Sequence, residues 1–220
     1  MPNDERTLAQ SAYTEIRAMI VDGELPPGTK LIVRLLSERL GLSATPIKSA
    51  LAALERDGFL LAIPHRGFHV PQVRLPDLLE IYELREMLDG VAARRVARAP
   101  HPADFVRTVL DPLLTEQRRY GGDDDLATFR DLDLQFHRAI WQASGNHRLA
   151  RVAGNLGGQL RLAWSSRPSG GLARTLREHE AIMAAIAAGD PVRAERASRA
   201  HVRRSVIAFE RALIRPDGVR

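Results

Sequence analysis

Along residues 8–25, LAQSAYTEIRAMIVDGEL, apolar side chains recur at helical spacing until Gly23, and the turn Pro26-Pro27-Gly28 follows. The segment VRLLSERLG reads as a short second helix with Gly41 as its left-handed terminator. SATPIKSALAALERDG reads as a third, capped by Ser43, with Pro46 in its first turn and Gly58 at its end. FLLAIPHRGFHVPQV then gives two short strands around a turn at His65-Arg66-Gly67. Helix, helix, tight turn, helix and β-hairpin is the order of a winged helix-turn-helix, whose third helix enters a DNA major groove. A generic small α+β domain is the alternative at this point.

After VPQVRLP the pattern changes. Residues 77–215 show helical periodicity and no convincing strand, with helices expected at 77–99, 102–120, 124–143, 146–166, 171–188 and 191–214. At the last break Asp190 caps a helix that starts with Pro191. The fold expectation is two domains: an N-terminal winged helix-turn-helix with a small hairpin wing over 1–73, and a C-terminal all-α antiparallel helical bundle over 77–215. Residues 74–76 are the linker.

Polar residues interrupt the apolar stripes of that bundle. In 124–143 the stripe is Leu126, Phe129, Leu132, Phe136 and Ile140, and Asp133 and His137 lie within or beside it, one turn apart. His179 falls in the stripe Leu172, Leu176, Met183, Ile186, and His201 on a face with Ala194, Ala197, Ser205 and Ala208. A single inward histidine is ordinarily a hydrogen-bonded core residue. Three of them with one carboxylate point to a divalent cation, because a buried unpaired carboxylate costs several kcal/mol. Three nitrogens and one oxygen suit zinc foremost, with nickel or another transition metal as alternatives.

Composition narrows the chemistry. The 220 residues contain no cysteine, which excludes disulfides, thiolate nucleophiles and Cys-bound zinc. The start of the chain has no apolar signal core and the apolar runs are short, so a cytoplasmic location with no membrane partner is expected. The net charge is +5, yet residues 1–73 hold eight Lys/Arg and eight Asp/Glu, so the excess lies entirely in 74–220. Net charge therefore says little about DNA, and a DNA-binding role must rest on local arrangement.

Taken in order, IRAMIVDGELPPGTKL, LSERLGLSATPIKSALAALERDGFL, RGFHV, IYELREMLDGVAARRVA, DLQFHRAI, ASGNHRL, REHEAIMAAIAAGD and RAHV resemble the GntR family of bacterial transcription regulators, in the FadR-like subgroup with an all-helical FCD effector domain. The resemblance runs from about Thr7 to Leu213. It implies a metal held by Asp133, His137, His179 and His201, the four residues that periodicity had already singled out. It also implies that Arg85 helps hold a small carboxylic-acid effector, since a guanidinium offers a planar fork to a carboxylate. The alternative for Arg85 is an exposed helix residue paired with Glu86 or Asp89. Asn155 and Arg161 are weaker effector-binding candidates.

The DNA-reading segment departs from the family pattern. Where the family commonly reads Ser-Arg-Thr-Pro-Val-Arg-Glu-Ala-Leu, this chain has SATPIKSAL, so Ala44, Lys48 and Ser49 replace two arginines and a glutamate. Arginine can hold guanine with two hydrogen bonds, contributing ~1–3 kcal/mol of discrimination, and neither alanine nor lysine offers that fork. Upstream, LIVRLL loses a polar cap at Ile32. The DNA-binding candidates are Arg34, Ser43, Ala44, Thr45 and Lys48, with Arg66 and Gly67 at the wing tip. The resulting expectation is a homodimeric repressor, not an enzyme, that binds a palindromic operator in double-stranded DNA. Its rivals are a metal-dependent enzyme, a pure metal sensor, and a regulator that has lost DNA binding.

Overall fold

The computed structural model describes residues 2–121, 125–163 and 171–214. The chain forms two compact units, Met1–Leu75 with Gly158–Ser165, and Pro76–Gly157 with Ser166–Arg220.

The first unit contains α1 (Pro2–Val21), β1 (Lys30–Leu31), α2 (Val33–Leu40), α3 (Ala44–Arg56), β2 (Leu61–Ile63) and β3 (Gly67–His69). Helix α1 starts six residues before the apolar spacing requires it. The three strands form an antiparallel sheet in the order β1-β3-β2, with Leu31 and Ala62 on either side of Phe68. Only β2 and β3 were expected. The two residues of β1 carry no alternation, and their pairing with β3 spans almost forty positions.

Helix α3 buries Ile47, Ala50, Leu51 and Leu54, which sit on one face at helical spacing. They pack with Ile16 and Ile20 of α1, Leu36 of α2, Phe59, and Leu162 in one core. Burying a large aliphatic side chain stabilises by about 1.5–3 kcal/mol, so this face fixes α3 and leaves Ala44, Thr45, Lys48 and Ser49 outward. The end of α3 is tied twice. The Tyr13 hydroxyl donates to Asp57 Oδ2 at 2.7 Å, and Gln159 Nε2 donates to the Asp57 carbonyl at 2.8 Å. Gly58 has φ +77°, a left-handed backbone that favours glycine. Ser43 holds the N-cap position with extended backbone, but its side chain makes no capping bond, contrary to expectation. Gly41 is left-handed as expected, at φ 65°.

The remaining elements are helical. They are α4 (Leu75–Ala97), α5 (Pro102–Phe105), a π-helical turn (Val106–Leu110), α6 (Asp111–Arg119), α7 (Leu126–Ala143), α8 (His147–Ala163), α9 (Leu172–Ala187) and α10 (Pro191–Ile214). The expected single helix over 102–120 is interrupted by the wider turn. Pro112, just beyond it, removes a backbone donor that a continuous α-helix would use. The expected starts and ends at Asp124 and Ser166 lie outside the described residues. Asp125 caps α7 through a bond from Thr128 N at 2.9 Å. Asp190 caps α10 as expected, accepting from Val192 N and Arg193 N at 3.1 and 2.9 Å. No helix among the described residues is long and apolar enough to cross a membrane.

Candidate metal centre and DNA-reading face

Helix α7 turns Phe129, Leu132, Phe136 and Ile140 into the core and carries His137 with them, 2% exposed. Helix α9 buries His179 beside Ile182 and Met183, and α10 buries His201 between Ala194 and Val202. Asp133, one turn before His137, keeps 16% of its side chain exposed. One ligand atom from each of Asp133, His137, His179 and His201 lies within 4.8 Å of all the others. The three inward histidines and the inward carboxylate thus meet at one point.

The ring orientations are specific. His137 Nδ1 is 3.3 Å from Asp89 Oδ2, His179 Nδ1 is 3.0 Å from Gln117 Oε1, and His201 Nδ1 is 2.8 Å from Glu178 Oε2. Each of those partners is an acceptor, so each ring places its proton on Nδ1 and turns an Nε2 lone pair inward. The Nε2 atoms of His137 and His201 are 3.1 Å apart. His179 Nε2 is 3.4 Å from Asp133 Oδ1 and, though buried, has no hydrogen-bond partner among the described residues. Lone pairs and a carboxylate converging at this distance repel one another unless a positive charge sits among them. An imidazole with its outer N–H held by an acceptor is the usual arrangement of a metal-ligating histidine. The donor set fits a late transition metal.

Electrostatics keep His137 and His179 in the metal-ready form. Burial, reinforced by Arg85 and by the other two imidazoles, pushes His137 well below its ordinary value. Burial and then His201 push His179 down to about 3, against the opposing pull of Asp133 and Glu178. Glu178 is held low because bonds from His201 and Arg204 together outweigh its burial, the largest single influence. Asp89 is pushed upward by complete burial even with Arg85 beside it.

Arg85 is 3% exposed, so it is not the solvated helix residue of the alternative. It donates to Asp89 Oδ2 at 2.8 Å, and its guanidinium carbon lies 5.1 Å from the Trp141 ring centroid. Trp141 Nε1 donates to Asp89 Oδ1 at 2.5 Å. Asp89 therefore joins Arg85, Trp141 and His137 in one buried node, and sequence reasoning had not assigned it that role. Its signal was present: Arg85 and Asp89 both fall on the buried stripe of α4 with Leu78, Tyr82, Ala92 and Val96. Gln117 and Glu178 were missed as well, and Glu178 stands next to a ligand candidate. Arg161 belongs to the first unit, where its side chain lies 3.4 Å from Asp22. Asn155 is half-buried on α8.

On the first unit, Ser43, Ala44, Thr45 and Lys48 are exposed together at the start of α3. Arg34 is exposed on α2 and paired with Glu38 at 2.9 Å. Ile32 occupies the N-cap of α2 with no capping bond, and it and Leu35 are exposed. At the wing, Arg66 and Gly67 are exposed, and Arg66 N closes the turn onto Ile63 O at 2.9 Å. Gly67 has φ 84° and His65, unusually for a non-glycine, φ 61°.

Residues 80–204 match the FCD domain, and residues 8–70 match the bacterial regulatory proteins of the gntR family. A probable D-xylose utilization operon transcriptional repressor of Paenarthrobacter nicotinovorans is 32% identical over 89% of this chain and 86% of its own. The HTH-type transcriptional regulator YdhC of Bacillus subtilis is 30% identical over 64% of this chain, and that match spans only 62% of the relative. The solved structure of E. coli McbR/YncC superposes with a TM-score of 0.73 over 94% of this chain and 98% of that one, at 22% identity, and so shares the fold. These relatives are transcription regulators, not enzymes. The chain belongs to the gntR family of bacterial transcription regulators, with an FCD domain following its helix-turn-helix unit.

Proposed function

We propose that this regulator is a homodimeric, cytoplasmic repressor of palindromic operators whose FCD domain holds a divalent metal and responds to a small carboxylic acid. The observation that carries the reading is the convergence of three inward Nε2 atoms and Asp133, each ring fixed by an acceptor behind it. Asp133, His137, His179 and His201 hold the metal, zinc foremost. The metal supplies a Lewis-acidic anchor for a carboxylate oxygen.

Arg85 supplies the second anchor. Its guanidinium is already committed to Asp89, so an incoming carboxylate competes with or shares that pair. Arg85 and Asp89 lie on α4, the helix that follows the wing strand β3 after five residues, which gives the effector a covalent route toward the DNA-binding unit. A coupling of ~1–3 kcal/mol suffices for several-fold to hundredfold changes in operator affinity.

At the DNA end, Thr45 and Lys48 face the groove with Ser43 and Arg34 on the backbone, and Ala44 removes the base-reading fork. Operator selection from random duplexes is expected to return a half-site that differs from the usual family site at the position facing Ala44. Elemental analysis and native mass spectrometry of protein purified without chelator test the centre. The expected result is one late transition metal per chain, with an added small acid in part of the population. Protein free of metal that also fails to take up zinc or nickel would overturn the reading.

A further inference from the structure

The three imidazoles of the cluster are backed unequally. His201 Nδ1 reaches Glu178 Oε2 at 2.8 Å and His179 Nδ1 reaches Gln117 Oε1 at 3.0 Å, but His137 Nδ1 stands 3.3 Å from Asp89 Oδ2. That last distance is past the usual range of an N–H···O bond.

The other partners of each acceptor explain the difference. Glu178 also meets cations, yet Arg204 and Arg174 both approach its other oxygen, Oε1, at 2.6 and 3.7 Å, which leaves Oε2 to His201. Gln117 carries no charge, and its amide nitrogen donates to the Phe129 carbonyl at 3.4 Å. At Asp89 the oxygen that faces His137 is the one that accepts from Arg85, at 2.8 Å, while Trp141 Nε1 takes Oδ1. Among the described residues, His137 is thus the one ring of the three whose backing oxygen is shared with a guanidinium.

That sharing bears on metal binding. An acceptor behind an imidazole makes its inner nitrogen more basic, and an oxygen already engaged by a cation has less charge to lend. Arg85, Asp89 and His137 are 3%, 1% and 2% exposed, so little solvent screens the competition. Arg85 is itself incompletely satisfied, since its buried Nε has no hydrogen-bond partner among the described residues. A carboxylate meeting that guanidinium gives it a second counter-charge and loosens its claim on Asp89.

We propose that Asp89 is a positioning residue through which Arg85 restrains the cluster's hold on its metal. When an acid draws the guanidinium off, Asp89 Oδ2 is left to His137, and the ring turns a more basic Nε2 inward. Acid and metal then strengthen each other to the same degree, as linkage requires. The inference rests on the metal and effector reading above and adds a route between the two ligands.

Zinc affinity of the full chain, stripped of metal and titrated against a chromophoric chelator, tests this with zinc as the only ligand. Arg85→Met stands in for a guanidinium drawn off and is expected to bind zinc several-fold to about tenfold more tightly than wild type. Asp89→Asn is expected to weaken zinc about 10–100-fold. Adding Arg85→Met to that variant changes its affinity by less than about twofold, because the relay is gone. A guanidinium acting on the metal through space gives the same gain in both backgrounds, and that result would overturn the proposal. Unchanged affinity in Arg85→Met would do so as well. If Asp89→Asn does not fold, imidazole nitrogen–proton NMR spectra of zinc-loaded wild type and Arg85→Met decide. The His137 Nδ1 proton is expected to move downfield as its bond shortens, with those of His179 and His201 in place; a stationary His137 proton overturns the proposal. Wild type that takes up no zinc overturns the metal reading, and the proposal with it.

Discussion

His137 and His201 approach one another nose to nose, Nε2 to Nε2 at 3.1 Å, while each ring's outer nitrogen is held by a carboxylate. With the outer nitrogen of each ring held by an acceptor, both inner nitrogens stand ready to ligate a cation between or beside them. Replacing His201 with Ala is therefore expected to abolish metal uptake and the thermal stabilisation that metal confers. At a metal concentration a hundred times the dissociation constant, that stabilisation is roughly 2.7 kcal/mol, or roughly 5–11 °C for a chain of this size. Thermal scans with and without added zinc read the difference; an undiminished zinc response in the variant would exclude His201 as a ligand.

Asp89 neutralises Arg85 where neither side chain reaches water. Asp89→Asn keeps an acceptor for Trp141 but leaves the guanidinium buried without its counter-charge, a loss of about 3–5 kcal/mol. The double variant Arg85→Met with Asp89→Asn removes the stranded charge and is expected to recover much of that loss. Urea denaturation of the two singles and the double closes the cycle. Additive losses would show that the two residues do not act as a pair.

Tyr13 anchors α1 to the end of α3 through Asp57, and burial together with that bond pushes its hydroxyl from 10 up to about 12. The folded chain keeps this proton where the unfolded chain has lost it. The contribution is thus complete below pH 10 and is lost as pH rises from 10 through 12. Tyr13→Phe is expected to be less stable than wild type at pH 8, with the gap closing above pH 10. A gap unchanged between pH 8 and pH 11 would contradict the linkage.

Arg66 stands exposed on the wing, and Lys48 is exposed on α3. If Arg66 meets a phosphate, Arg66→Ala weakens all duplexes alike and lowers the salt slope of binding by about 0.9. Lys48→Ala is expected to weaken the selected operator more than unrelated duplexes. Fluorescence anisotropy across a salt series distinguishes the two patterns, and equal losses on every duplex for both variants would deny Lys48 a base-reading role.

Much of this arrangement was legible before any coordinates. The inward quartet Asp133, His137, His179, His201 follows from helical spacing, because side chains three or four residues apart must share a face. The caps at Asp125 and Asp190 and the left-handed Gly41 illustrate the two ways local chemistry settles helix ends: the Asp190 cap and Gly41 were read directly, and the cap at Asp125 only once its bond to Thr128 was seen. What stayed hidden depends on meetings between distant segments. Asp89 and His137 are 48 positions apart, Gln117 and His179 are 62, and no periodicity within one helix reports such pairings. Strand β1 was missed for the same reason, and so was the pairing of Arg161 with Asp22.

Each imidazole of the quartet leans on a different helix from its own: His137 of α7 on Asp89 of α4, His179 of α9 on Gln117 of α6, and His201 of α10 on Glu178 of α9. Five helices are thereby stitched through a single cluster of rings. Local fraying of any one of them must unseat a ring, so backbone amides deep in all five should exchange with deuterium as one block rather than helix by helix. Rigidity in this domain is then a collective property, gained or lost at one spot.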